Sequence, residues 1–187
     1  MSLKHAILGL LTFQPMTGYD LKHLAFDSTV AHFWRADQAQ IYRTLDNMEQ
    51  EGFLTSDIQL QTERPSKRIY AITDAGRAEL LAWLRQPQSP PVYREPFLVQ
   101  VFFAGLLTDA EILAHIQTHI TAHREKLAKL QEIDIPETVI EDQERDKLFW
   151  GMSLELGIAV EHTYLAWLEK WERVIRDRSA GEGDSEG

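Results

Sequence analysis

Apolar positions in the first half of the chain repeat with two different periods. Leu3, Ala6, Ile7, Leu10 and Leu11 follow the i, i+3, i+4, i+7, i+8 spacing of an amphipathic helix, and Pro15 ends it. Thr17-Gly18-Tyr19-Asp20 has the form of a capping box, in which hydroxyl and carboxylate each accept a free backbone amide. A second helix is therefore expected from Thr17 to about Ser28. Asp37 and Gln40 repeat the device at the head of a third helix with Ile41, Leu45 and Met48 as its buried side, and Gly52 supplies a left-handed stop. The period then falls to two. Residues 54–61, with Ile58 and Leu60, and 68–73, with Tyr70 and Ile72, predict strands on either side of a polar turn at 62–67. Thr73 caps a fourth helix to about Arg85, with Leu80, Leu81 and Leu84 as its apolar side.

Pro87, Pro90, Pro91 and Pro96 then mark a stiff linker. Beyond it the helical period returns in three segments, 97–107, 109–133 and 136–178. At 1.5 Å per residue the last would be roughly 60 Å long. Its stripe, Phe149, Met152, Leu156, Val160, Tyr164, Trp167, Trp171 and Val174, is too long to bury within so small a domain and calls for a partner helix. Gly151 and Gly157 inside it suit close backbone approach. The small acidic tail 179–187 is expected to be disordered. The predicted organisation is thus mainly α: a winged helix-turn-helix of three helices, a two-stranded wing and a fourth helix (1–86), a Pro-rich linker (87–96), a helical dimerisation domain (97–178) and the tail.

Charge changes the picture once it is divided. The 187-residue chain carries a formal charge of −10, which by itself argues against a nucleic-acid partner. Residues 1–86, however, hold 9 Lys and Arg against 10 Asp and Glu, a balance of −1, and the remaining −9 lies beyond them. A near-neutral first domain can carry a local basic patch. The chain has no cysteine, which removes disulfides, thiol nucleophiles and Cys-ligated zinc, and suits a reducing compartment. Pro15 and Thr17 break the apolar run 6–13 too early for a signal peptide, and no stretch approaches the ~20 apolar residues of a membrane span. A cytoplasmic location is expected.

Several runs, Ala6-Ile7-Leu8-Gly9-Leu10-Leu11, Thr17-Gly18-Tyr19-Asp20-Leu21, Gln40-Ile41-Tyr42-Arg43-Thr44-Leu45, Glu51-Gly52-Phe53-Leu54 and Arg68-Ile69-Tyr70-Ala71-Ile72-Thr73-Asp74-Ala75-Gly76, resemble the PadR family of bacterial transcriptional regulators in order and spacing. The second half is similar in shape to the long-helix version of that family. One position departs: where the family usually has proline after the recognition-helix tyrosine, this chain has Arg43. The resemblance implies a homodimer on a palindromic operator, usually a repressor, and often released by a small aromatic ligand.

The chemistry of the third helix fits the same role. With Ile41, Leu45 and Met48 inward, Ala39, Arg43, Asp46 and Gln50 point outward, and Gln38, Gln40, Tyr42 and Arg43 lie in its first turns. Glutamine matches adenine and arginine matches guanine in the major groove. Thr17, Tyr19 and Lys22 at the head of the second helix suit a phosphate, as do Arg64, Lys67 and Arg68 around the wing. Each also has a plainer reading as a cap or a solvated surface.

His115, His119 and His123 recur every four residues beside Ile112, Ile116 and Ile120, a spacing that suits the edge of an apolar seam better than a tetrahedral metal site. Trp83, Phe97, Phe103 and Trp150 could line an aromatic pocket, or belong to core and interface. No phosphate loop or triad spacing is present, so neither enzymatic activity nor a cofactor is expected. The alternative function is a winged-helix adaptor acting through protein–protein contacts.

Overall fold

Both capping boxes of the first domain form. The Asp20 amide donates to Thr17 Oγ1 at 3.0 Å and the Thr17 amide donates back to Asp20 Oδ2 at 3.3 Å. The Gln40 amide donates to Asp37 Oδ1 at 2.7 Å, with the Asp37 amide on Gln40 Oε1 at 3.3 Å. The computed structural model describes residues 2–59, 66–134 and 144–183, in two units, Met1–Pro90 and Pro91–Gly187.

In the first unit α1 (Ser2–Phe13) is followed by a two-residue strand β1 (Met16–Thr17). Then comes α2, whose first turn (Gly18–Asp20) is α-helical and whose remainder (Leu21–Thr29) is wound as a π-helix. Next are α3 (Gln38–Gln50), β2 (Leu54–Gln59), β3 (Lys67–Ile72) and α4 (Asp74–Leu84). Three features differ from the sequence expectation. The sheet has three strands in the order β1-β3-β2, because Met16 pairs with Tyr70 and Thr17 with Ile69. The second helix widens to π winding, which keeps Leu21, Ala25 and Phe26 buried together. In α4 only Leu80 of the three expected leucines is buried; Leu81 and Leu84 face outward, and Trp83 instead stacks on His5 at 4.4 Å.

The core gathers Ile7, Leu8 and Leu11 of α1, Leu21 and Phe26 of α2, Ile41, Leu45 and Met48 of α3, Leu54 and Tyr70 of the sheet. Each large side chain removed from water there contributes about 1.5–3 kcal/mol. Gly52, at φ 78°, ends α3 in the left-handed conformation a glycine adopts without strain. Thr73 caps α4 by accepting from the Gly76 amide at 3.1 Å. Ile58 of β2 is exposed. Leu60 and most of the turn 62–67 lie outside the described residues.

The second unit contains α5 (Pro96–Phe102), continued by a 3-10 turn (Ala104–Leu106), then α6 (Asp109–Gln131) and α7 (Glu144–Gly183). Pro96 is the first residue of α5, and the Glu95 carboxylate accepts from the Phe97 amide at 3.2 Å. A third capping box, Thr108 with Glu111, opens α6. α6 and α7 pack together over Phe97, Ile112, Ile116, Ile120, Leu165 and Leu168. Helix α7 runs through Gly183, five residues beyond its expected end, so the first part of the tail expected to be disordered is helical. The expected start of this helix, 136–143, lies outside the described residues. Among the described residues no helix is long and apolar enough to cross a membrane.

Candidate nucleic-acid interface

Burying Ile41, Leu45 and Met48 leaves α3 with one outward ridge, on which Ala39, Arg43, Asp46, Asn47 and Gln50 are all exposed. Gln38, Gln40 and Tyr42 are exposed in its first turns. Gln40 is partly committed, since its Oε1 accepts from the Asp37 amide. Arg43 Nε donates to the carbonyl of Ala39 at 3.3 Å, which lays the guanidinium along the ridge toward the helix N-terminus.

Tyr42 ties α3 to the head of α2. Its ring lies so close to Gly18 that a β-carbon there would stand 2.6 Å from Cε1. Tyr19 is exposed and packs its ring against His23 at 4.1 Å. Thr17 works as a cap, with its hydroxyl donating to Asp20 Oδ2 at 2.8 Å. Lys22 is ion-paired with Asp27, which His23 also approaches at 3.2 Å. The Lys22 hydrogen bond, ahead of the nearby charges, holds the Asp27 carboxyl below the usual carboxylate range.

Arg68 on β3 is more deeply engaged. Its guanidinium bonds Asp46 at 3.3 Å, Glu49, and Ser56 Oγ at 2.9 Å, and lies over the Tyr70 ring at 5.2 Å. The carboxylates of the second half of α3, which would repel phosphate, are thereby neutralised from the wing. Lys67 is exposed opposite Gln59. Arg64 lies outside the described residues. Among the described residues Arg35, Arg43 and Lys67 enter no ion pair. Arg35 stands two residues before the Asp37 cap, an isolated basic residue with no motif around it in the sequence.

In the second unit the structure separates the expected stripe of α7. Trp167 packs on the core of its own unit and Tyr164 stacks on His123 at 4.4 Å, both half-buried. Phe149, Met152, Leu156, Val160, Trp171 and Val174 remain exposed, Leu156 by 66%. Glu161, 1% exposed, is a buried charge; its carboxylate accepts from Lys126 and meets His123 Nδ1 at 2.5 Å. Such pairing offsets the desolvation of a charge that would otherwise be costly. His119 stacks on Phe97 at 3.7 Å, and burial, then the neighbouring His123, lowers its pKa. Among the described residues no cluster of His, Asp and Glu has the geometry to hold a metal.

The four aromatic residues singled out as a ligand set are differently placed. Trp83 stacks on His5 in the first unit, Phe97 is core, Trp150 is half-buried, and Phe103 is exposed, where it lines an open cavity with Tyr93, Leu98, Val99 and Phe102.

Residues 7–82 match the transcriptional regulator PadR-like family, and residues 93–176 match the virulence activator alpha C-terminal family. The negative transcriptional regulator PadR of Bacillus subtilis is 31% identical over 171 residues, 89% of this chain and 93% of that protein. A probable transcriptional regulator of Mycobacterium tuberculosis, Rv1176c, is 47% identical over 90 residues, 48% of this chain and 47% of that protein. The crystal structure of B. subtilis PadR in complex with operator DNA superposes with a TM-score of 0.77 at 28% identity, covering 94% of this chain and 99% of that one. The same protein in complex with p-coumaric acid gives 0.70 at the same identity and coverage. The chain belongs to the PadR-like family, transcriptional regulators and not enzymes.

Proposed function

We propose that this regulator is a sequence-specific repressor that binds a palindromic operator as a homodimer through α3. The observation that carries the reading is the outward ridge of α3: a polar face with an unpaired arginine, its acidic end neutralised by Arg68, on a helix fixed by three buried side chains. Gln38 and Arg43 supply base-edge contacts. Gln40, Tyr42 and Tyr19 border them, and Lys67, with Arg64, meets the backbone. Thr17 caps the head of α2 and Lys22, paired with Asp27, stands in its first turns beside the same backbone. The exposed apolar residues of α7 support dimerisation, because a lone protomer would leave them in water. Repression, and release by a small aromatic compound, are supported by the B. subtilis relative, a negative transcriptional regulator, and by its complex with p-coumaric acid.

Selection of genomic fragments by the purified protein, followed by footprinting, tests the reading. The expected outcome is one enriched sequence with two inverted half-sites one helical turn or a multiple apart. Addition of p-coumaric acid as a first aromatic probe should weaken that complex. Recovery of no preferred sequence would favour an adaptor function.

A further inference from the structure

The ridge of α3 has two flanks. On one, Tyr42 leans over Gly18 at the head of α2 and Arg68 reaches across from the wing. The other borders an open groove of about 650 Å³, walled by Lys4 of α1, by Trp34 and Arg35 ahead of α3, and by Gln40, Arg43 and Asn47 of α3 itself. Its balance is positive. Glu51, the carboxylate in the groove, is held by Lys4 at 3.3 Å, whereas Arg35 and Arg43 enter no ion pair among the described residues. Arg35 is also well fixed at its root. Trp34 before it and Ala36 after it both pack on the core of the unit, and the Asp37 capping box follows directly. An exposed guanidinium thus projects from a backbone held on both sides.

A helix lying in a major groove about 12 Å wide is bordered by both strands, not one. The head of α2 and the wing serve the first. We infer that the groove between α1 and α3 is the phosphate site for the second strand, with Arg35 as its anchoring cation. The inference rests on α3 being the recognition helix. The planar fork of arginine matches the two free oxygens of a phosphodiester, and a residue on a fixed backbone reaches them with little ordering cost. Arg43, shared between ridge and groove, faces base edges on one side and this backbone on the other.

The test is a salt titration of full-length wild type, Arg35→Gln and Arg35→Lys. The probes are a labelled random-sequence duplex and the sequence that the wild type selects from a random pool. Arg35→Gln should make the dependence of log K on log salt shallower by about 0.9 per protomer and weaken both duplexes by the same factor. Arg35→Lys should keep the slope. An unchanged slope in Arg35→Gln would overturn the inference. Equal losses in both variants would also do so, since a structural role does not distinguish lysine from glutamine. A changed base preference would make Arg35 a base reader instead of a phosphate anchor. Failure of the underlying reading looks different: the wild type itself would select no sequence and bind neither duplex at low salt, and the phosphate site would fall with it.

Discussion

The two units handle charge in opposite ways. In Met1–Pro90 five acidic side chains are paired internally: Asp27 with Lys22, Asp46 and Glu49 with Arg68, Glu51 and Glu79 with Lys4. What faces outward beside the ridge is Arg35, Arg43 and Lys67. Pro91–Gly187 carries nine excess negative charges by sequence, and among its described residues Phe149, Met152, Leu156, Val160, Trp171 and Val174 of α7 stand uncovered. On the proposed function, the first unit meets a polyanion and the second an apolar surface. The net charge of the chain describes neither, because the field that a phosphate meets is set by the cations within about a Debye length of it.

The largest effect should come from the apolar side of this contrast. Met152→Glu with Leu156→Glu should leave a folded monomer in sedimentation and weaken operator binding by about 10²–10⁴-fold, as the second half-site contact is lost. A dimer that persisted would place the assembly surface elsewhere. Next, Arg43→Ala should cost about 1–3 kcal/mol on the selected sequence and relax preference at one base pair. Lys67→Ala should weaken every sequence equally. Identical factors on selected and random duplex for both variants would erase the division between base reader and backbone contact.

Arg68→Ala sharpens the comparison from within the first unit. The pair is exposed, so folding should lose only about 0.2–1 kcal/mol in a thermal melt. DNA affinity should fall further, because Asp46 and Glu49 are left bare beside the ridge. Adding Asp46→Asn and Glu49→Gln should restore it; no restoration would mean that Arg68 itself contacts DNA. The smallest effect concerns His119. Burial lowers its pKa, so the folded state binds fewer protons than the unfolded one. Its contribution to stability is therefore whole above its ordinary value near 6.5 and shrinks as pH falls through that value toward the depressed one. His119→Phe should flatten a melting-temperature profile over that window, and an unaltered profile would assign the pH response to other groups.

Much of the fold was legible because its signals are local. The capping boxes at Thr17 and Asp37, the stop at Gly52, the cap at Thr73 and the helical period of α3 each involve residues within four positions of one another. The family runs follow the same elements. Less of the site was legible. Lys22 and Arg68 read as bare cations in sequence, yet their environment depends on Asp27, Asp46 and Glu49, and for Arg68 on residues some twenty positions away. Arg35 carried no signal at all.

The sequence alone determined the order of the helices and of the wing hairpin, the buried side of α3, the charge division and the apolar stripe along α7, since periodicity and composition are written residue by residue. Tertiary structure alone decided that Met16 and Thr17 add a third strand, that Leu81 and Leu84 face outward while Trp83 finds His5, and that α6 takes Leu165, Leu168 and Trp167 from α7 but leaves Leu156. Those outcomes turn on which distant surfaces meet. A hydrophobic pattern states how much apolar area must be covered, whereas the neighbour that covers it is chosen by packing across the fold.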